Sequence, residues 1–189
     1  MNILIILETG CSFAKDVIDL LVERDEINLT LFLLNKRRIL NNDIFKNVLP
    51  IARCRIIEGK VLDFNQLNES LIGQDIVYSN LAGDSEKKAK NIVKAMDEKG
   101  VKKLIFLSLL GIYDIPLRPV LNPYQKVADV IKASDLDYTI LRPIWVINSD
   151  EVDYAITRKS KRERGLLISQ EKLAGYITKI IGLSENKNL

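Results

Sequence analysis

A chain of 189 residues, 47% hydrophobic and 28% charged, has the length and apolar content of one ordinary domain with a proper core. Its lack of histidine excludes Ser-His-Asp hydrolysis, histidine-dependent zinc sites and histidine acid–base chemistry, and a net charge of +3 is too small to argue for nucleic acid by itself. No apolar run reaches the roughly 20 residues a membrane helix needs, the opening MNILIILETG lacks a signal peptide's basic start, and Cys11 and Cys54 form neither a disulfide framework nor a metal spacing, so a soluble, cytoplasmic protein with no metal site and no membrane partner is expected.

The elements follow in chain order. NILIIL (2–7) reads as a continuous apolar strand of the kind buried on both faces of a parallel sheet. A helix over 13–24 carries Phe13, Val17, Leu20 and Leu21 on one stripe. NLTLFLL (28–34) is the second strand, and RCRIIEG (53–59) a short third one, after a polar stretch holding a short helix. Asp63, with Gln66 three residues on, marks a helix start; Phe64, Leu67 and Leu71 make its apolar face and Gly73 its stop. DIVYSNLAG (75–83) is the fourth strand with its exit loop, and a helix over 85–99 buries Ala89, Ile92, Val93 and Met96 before Gly100. KKLIFLSLLG (102–111) is the fifth strand. A helix then starts at Asn122-Pro123, with Asn122 as cap, and runs to about Ser134. DYTILRP (137–143) is the sixth strand. Finally Ser169 caps a helix with Leu173, Tyr176, Ile177 and Ile180 on one face, closed by Gly182.

Strands alternating with helices over short connections predict βαβ units, hence an α/β fold: a single doubly wound, Rossmann-like domain over 1–189, its mainly parallel sheet covered by helices on both faces. Such sheets bind ligands at the carboxyl ends of their strands, where the strand order reverses.

The segments NILII…TG, VLDFNQLNESLIGQDIVYSNLAG, VKKLIFLSLLGIYD and PYQKVADVIKASDLDYTILRPIW, followed by DEVDYAIT, together resemble the atypical short-chain dehydrogenase/reductases, in particular the NmrA-like NAD(P)-binding proteins. The likeness runs from residue 2 to about residue 181, and ASDLDYTILRP is its most specific piece. It implies a Rossmann fold and NADP(H) binding. Members of such a family either reduce small carbonyl, quinone or flavin substrates or use the dinucleotide as a redox signal.

Members read roughly Gly-x-x-Gly-x-x-Gly after the first strand, for a tight turn, close approach to the pyrophosphate and helix–strand packing. This chain reads LETGCSFA, with Leu7 at the first glycine if Gly10 is the second, and Phe13 or Ala14 at the third. Leucine resists a positive φ, and Glu8 brings a carboxylate towards two phosphates. In favour of an anion stand the helix N-terminus, Thr9 and Ser12 as donors, and Lys15 one turn in. The cofactor residues implied here are Thr9, Gly10, Cys11, Ser12 and Phe13. A pocket decayed on an inherited fold is the other reading.

After the second strand the acid that would hold an NAD ribose is missing; Asn35, Lys36, Arg37 and Arg38 stand there, and a 2′-phosphate suits them, favouring NADP(H) over NAD(H). Three solvated cations in a loop are the plainer reading. Leu62 and Asp63 resemble the segment beside the adenine, and Leu81, Ala82 and Gly83 the one under the adenosine ribose, although Asp63 has a sufficient task as a helix cap.

Short-chain reductases move protons with a Tyr whose pKa is lowered by a Lys four residues later, near a Ser. Ser108 matches the Ser position. Asp129 sets the register, which puts Gln125 at the Lys and Leu121 at the Tyr, so that relay is absent. Tyr124 and Lys126 are spaced by two and point about 200° apart on a helix. Tyr113 could approach the nicotinamide from the other side, and Pro143 completes the cofactor site. Tyr124 and Trp145 fall where relatives line the substrate pocket, and Trp145 could stack on a flat acceptor or simply pack.

Two further features are open to a bland reading. Cys11 stands at a helix N-terminus, where a thiol's pKa falls, yet a small buried cysteine is commoner. RKSKRERG (158–165) is basic, but without interleaved aromatics a solvated turn is favoured over nucleic acid. The residues thus imply an NADP(H)-binding reductase-like protein that passes hydride to a small flat acceptor, a quinone or flavin. The alternative is a non-catalytic redox sensor or interaction module with a degenerate dinucleotide site.

Overall fold

The computed structural model describes residues 1–7, 12–35, 53–81, 85–109, 112, 116, 118–143, 145–147 and 167–182. Six strands form one parallel sheet: β1 (Asn2–Leu7), β2 (Asn28–Leu33), β3 (Cys54–Glu58), β4 (Ile76–Asn80), β5 (Lys103–Leu107) and β6 (Asp137–Leu141), in the order β3-β2-β1-β4-β5-β6. The order reverses between β1 and β4, the expected doubly wound, Rossmann-type arrangement. The register pairs Leu7 with Leu33 on one side and with Asn80 on the other.

The continuous apolar run of β1 is explained by its place in the middle. Ile3, Ile5 and Leu7 face a core built with α1 (Ser12–Val22) and a C-terminal helix, α5 (Gln170–Gly182). Leu4 and Ile6 face a second core built with α2 (Phe64–Ser70), α3 (Ser85–Lys99) and α4 (Asn122–Lys132). A strand covered on both faces favours apolar side chains at successive positions.

Helix ends follow local chemistry. The Asp63 carboxylate accepts from the Gln66 backbone N–H at 3.2 Å, capping α2. The Gln66 side chain does not return to the cap residue's own N–H, as a reciprocal capping box would; its Oε1 accepts from Lys60 N–H at 3.2 Å. Gly73 and Gly100, ending the turns after α2 and α3, both have φ near +70° (73° and 71°), which a side chain resists. Asp63→Ala removes the cap and is expected to lower stability by about 1 kcal/mol, read as a fall of roughly 2–4 °C in Tm by calorimetry. An unchanged Tm would show the cap to be idle.

Arg53 does what no residue of α1 does for its own C-terminus. Its guanidinium donates to the carbonyls of Arg24 (2.6 Å), Ile27 (3.0 Å) and Val22 (3.4 Å) and pairs with Asp25 at 2.9 Å. A planar fork with five donors suits a cluster of backbone carbonyls gathered at and just beyond the end of α1.

Three details differ from the sequence expectation. Asn122 is not a cap: a 3-10 turn over Pro119–Leu121 leads straight into α4, and Asn122 is already helical, so no side-chain cap is needed. The buried face of α5 is rotated; Ala174, Thr178 and Ile181 are buried with Leu173 and Ile177, while Tyr176 and Ile180 are only half-buried. A two-stranded parallel sheet, β7 (Trp145–Ile147) with β8 (Leu167–Ser169), was not legible at all, because three-residue strands carry no periodicity. Ser169 does cap α5, accepting from Lys172 N–H at 3.2 Å.

Candidate functional site

The carboxyl ends of β1, β4, β5 and β6 lie side by side, and the candidate residues gather there. Leu7 ends β1 as ordinary strand, buried and paired on both sides. No described non-glycine residue has a positive φ. The strand therefore runs straight through the position where relatives carry their first glycine, and Leu7 bears no backbone strain. Thr9, Gly10 and Cys11, and the side chains of Ser12 and Phe13, lie outside the described residues, as do Lys36, Arg37, Arg38, Ala82, Gly83, Tyr113, the Trp145 side chain and the basic segment 158–165. The backbone of Ser12 opens α1, which starts within five residues of the end of β1 and so presents its N-terminus at this end of the sheet.

Ser108 follows β5 directly. Its N–H donates to the Leu141 carbonyl at 2.8 Å, which extends the β5–β6 ladder by one step. Its side chain is 3% exposed, and its Oγ has no hydrogen-bond partner among the described residues. Ser79 on β4 is likewise buried, and its Oγ has no partner among the described residues. A buried hydroxyl without a partner costs about 1–3 kcal/mol, so Ser108 at a sheet end known to bind ligands fits a group that awaits one. Pro143 is half-buried two residues beyond β6.

The two positions that the register assigns to the relay are packed as follows. Leu121 is buried in a small apolar cluster with Ile112 and Ala128, against which Tyr124 packs half-buried. Gln125 is half-buried on α4. Lys126 Nζ lies 3.7 Å from Glu86 on α3. Glu86 is held below the usual carboxylate range, first by its hydrogen bond from Lys90 at 2.7 Å and then by the charges of Lys90 and Lys126. Lys126 thus serves a surface ion pair.

The segment after β3 is held from several directions. The Gly59 N–H donates to Leu33 O at 2.9 Å, and a Cβ on Gly59 would stand 2.5 Å from the Phe32 ring. Val61 is buried, while Leu62 is 55% exposed. Leu34, which follows the neighbouring strand β2, is 44% exposed. Asn35 is exposed and Leu81, directly after β4, is buried. The sequence reading gave no role to Gly59 or Asn91 here and took Gln66 only as part of a helix start; for Gly59, its place after a strand was the signal available.

Cys54, on the edge strand β3, has its thiol pushed up to about 11 by burial. It is a poor nucleophile at neutral pH. Among the described residues there is no cluster that could hold a metal ion and no helix long and apolar enough to cross a membrane.

Residues 12–182 match the NAD(P)H-binding family. Among solved structures, a Rossmann-fold NAD(P)-binding family protein from Shigella flexneri is 36% identical, with 98% of this chain and 89% of that one covered and a TM-score of 0.82. A short-chain dehydrogenase/reductase from Veillonella parvula in complex with NADP is 21% identical over 96% of this chain and 87% of that one, with a TM-score of 0.80. An anaerobillin reductase from Escherichia coli is 14% identical over 96% and 90%, with a TM-score of 0.76. The last two share the fold. No curated protein matches the chain.

Proposed function

The chain belongs to the NAD(P)H-binding family, and from that premise we propose that it is a reductase that binds NADP(H) in preference to NAD(H) and passes hydride to a small, flat acceptor of quinone or flavin type. NADPH, when bound, supplies a hydride; a quinone or flavin takes that hydride together with a proton from solvent, so no protein acid is required. The observation that carries the choice of acceptor is Leu121, buried in an apolar cluster where a carbonyl reductase needs its tyrosine. Ser108 offers a buried hydroxyl at the end of β5, Pro143 and Leu81 flank it on neighbouring strand ends, and Asn35 with Lys36 and Arg37 suits a 2′-phosphate by charge. Tyr113, Tyr124 and Trp145 belong to the acceptor side in this reading, and residues 1–189 act as one domain. The V. parvula protein of the same fold is an NADP complex, and the anaerobillin reductase is a reductase; both lend support by likeness of fold.

A second reading, a non-catalytic sensor or interaction module, is favoured by the lone glycine of LETGCSFA. Calorimetric titration with NADPH and NADH separates the two. We expect micromolar NADPH binding, tighter than NADH, and oxidation of NADPH by quinones or free flavin. No binding of either dinucleotide at about 1 mM, a free energy weaker than roughly −4 kcal/mol, would sink the reductase reading; binding without turnover of any flat acceptor would favour the sensor.

A further inference from the structure

The turn 59–63 carries more fixed points than its length requires. Beyond the Gly59 and Lys60 bonds, Asp63 N–H donates to Lys60 O at 2.9 Å, which closes the turn on itself. One further restraint comes from a different helix. The side-chain amide of Asn91, on α3, donates to the Val61 carbonyl at 3.0 Å and to the Leu62 carbonyl at 3.3 Å. Asn91 is half-buried. Lys94 and Glu98, three and seven residues on and so on the same helix face, continue the clamp: Lys94 sits 4.2 Å over the Phe64 ring, and Glu98 accepts from Asn68 at 3.1 Å.

This clamp fixes a backbone whose side chain at the centre, Leu62, points largely into solvent. A solvated loop gains nothing from being so tightly held, because each ordered residue costs about 1–2 kcal/mol of backbone entropy. The exposed Leu62 and the exposed Leu34 follow adjacent strands at one end of the sheet. A flat, weakly polar ring is the ligand chemistry that two such leucines suit, and adenine is the part of a dinucleotide with that character.

We propose that Asn91 is a positioning residue for the adenosine half of the dinucleotide, acting by holding the Val61 and Leu62 carbonyls so that the 59–63 turn presents Leu62 in one place. The proposal rests on the dinucleotide reading above. Asn91→Leu removes both donated bonds at similar volume, and Asn91→Asp removes them while keeping a polar group at a half-exposed site. The probes are NADPH and adenosine 2′,5′-bisphosphate, titrated calorimetrically well below each variant's Tm. Losing two hydrogen bonds that order the turn is expected to raise both dissociation constants by about tenfold and by the same factor.

A brace with a merely structural role would lower Tm and leave both constants within twofold of the original chain, which overturns the proposal. Weaker NADPH binding with unchanged adenosine bisphosphate binding overturns it too, as does an unsubstituted chain that binds NADPH but not the bisphosphate. An unsubstituted chain that binds neither removes the dinucleotide reading together with this proposal, a result distinct from intact binding that ignores Asn91.

Discussion

Phe32→Ala is expected to lower the stability of this protein by about 3–5 kcal/mol. Phe32 is buried on β2, between the edge strand β3 and the central strand β1, and its ring faces the core shared with α2, α3 and α4. Truncation loses the transfer free energy of the ring and leaves a void that the neighbouring strands cannot close, because β1 and β3 hold β2 in register from both sides. The ring also supports the backbone of Gly59, so the 59–63 turn loses its floor. In a chain of this size each kcal/mol moves Tm by roughly 2–4 °C, so a fall of about 10 °C is expected by calorimetry, with a lower midpoint in urea. A loss below about 1 kcal/mol would show that the site collapses freely and that the contact is not a support.

The converse substitution, Gly59→Ala, adds one methyl to the same contact. The new Cβ would lie 2.5 Å and 2.6 Å from two ring carbons of Phe32 and 3.1 Å from Gln66 Oε1. A flexible surface side chain would move aside. A ring with 1% exposure cannot, so overpacking of about 1–3 kcal/mol follows. The two positions are in contact and must couple: in the Phe32→Leu background, which withdraws the ring tip, the Gly59→Ala penalty is expected to shrink by about 1 kcal/mol or more. Equal penalties in the two backgrounds would place the strain elsewhere. Glycine at position 59 is thus required by a close approach and not by an unusual backbone angle, in contrast with Gly73 and Gly100.

The central parts of the fold were legible because periodicity reports burial. NILIIL could only be a doubly covered strand, and helix 85–99 was bounded by residues whose chemistry ends helices: Gly100 has the positive φ expected of it. The helix faces were read less well. Tyr176 and Ile180 count as apolar by residue type, but the buried positions are Leu173, Ala174, Ile177, Thr178 and Ile181, and Ile180 packs only at the rim of that core. Asn122 has the composition of a cap, and the preceding 3-10 turn removed the need for one.

The candidate site divides the same way. The sequence by itself determined the βαβ order and the basic character after β2, because each depends on residue type and spacing; the carboxyl-end placement of the candidate site followed from that order, and the lack of a Tyr–Lys pair at its register followed from the resemblance. Only the tertiary structure decided that Leu7 is unstrained strand, that Leu121 is buried among apolar neighbours, that the Ser108 hydroxyl has no partner among the described residues, and that Asn91 reaches 29 and 30 residues back to hold two carbonyls. The reason is physical: spacing along the chain fixes which face of an element a residue occupies, but which distant backbone groups that face then meets is set by how helices and strands pack. Nothing local in an asparagine on a helix face says which carbonyls it will find.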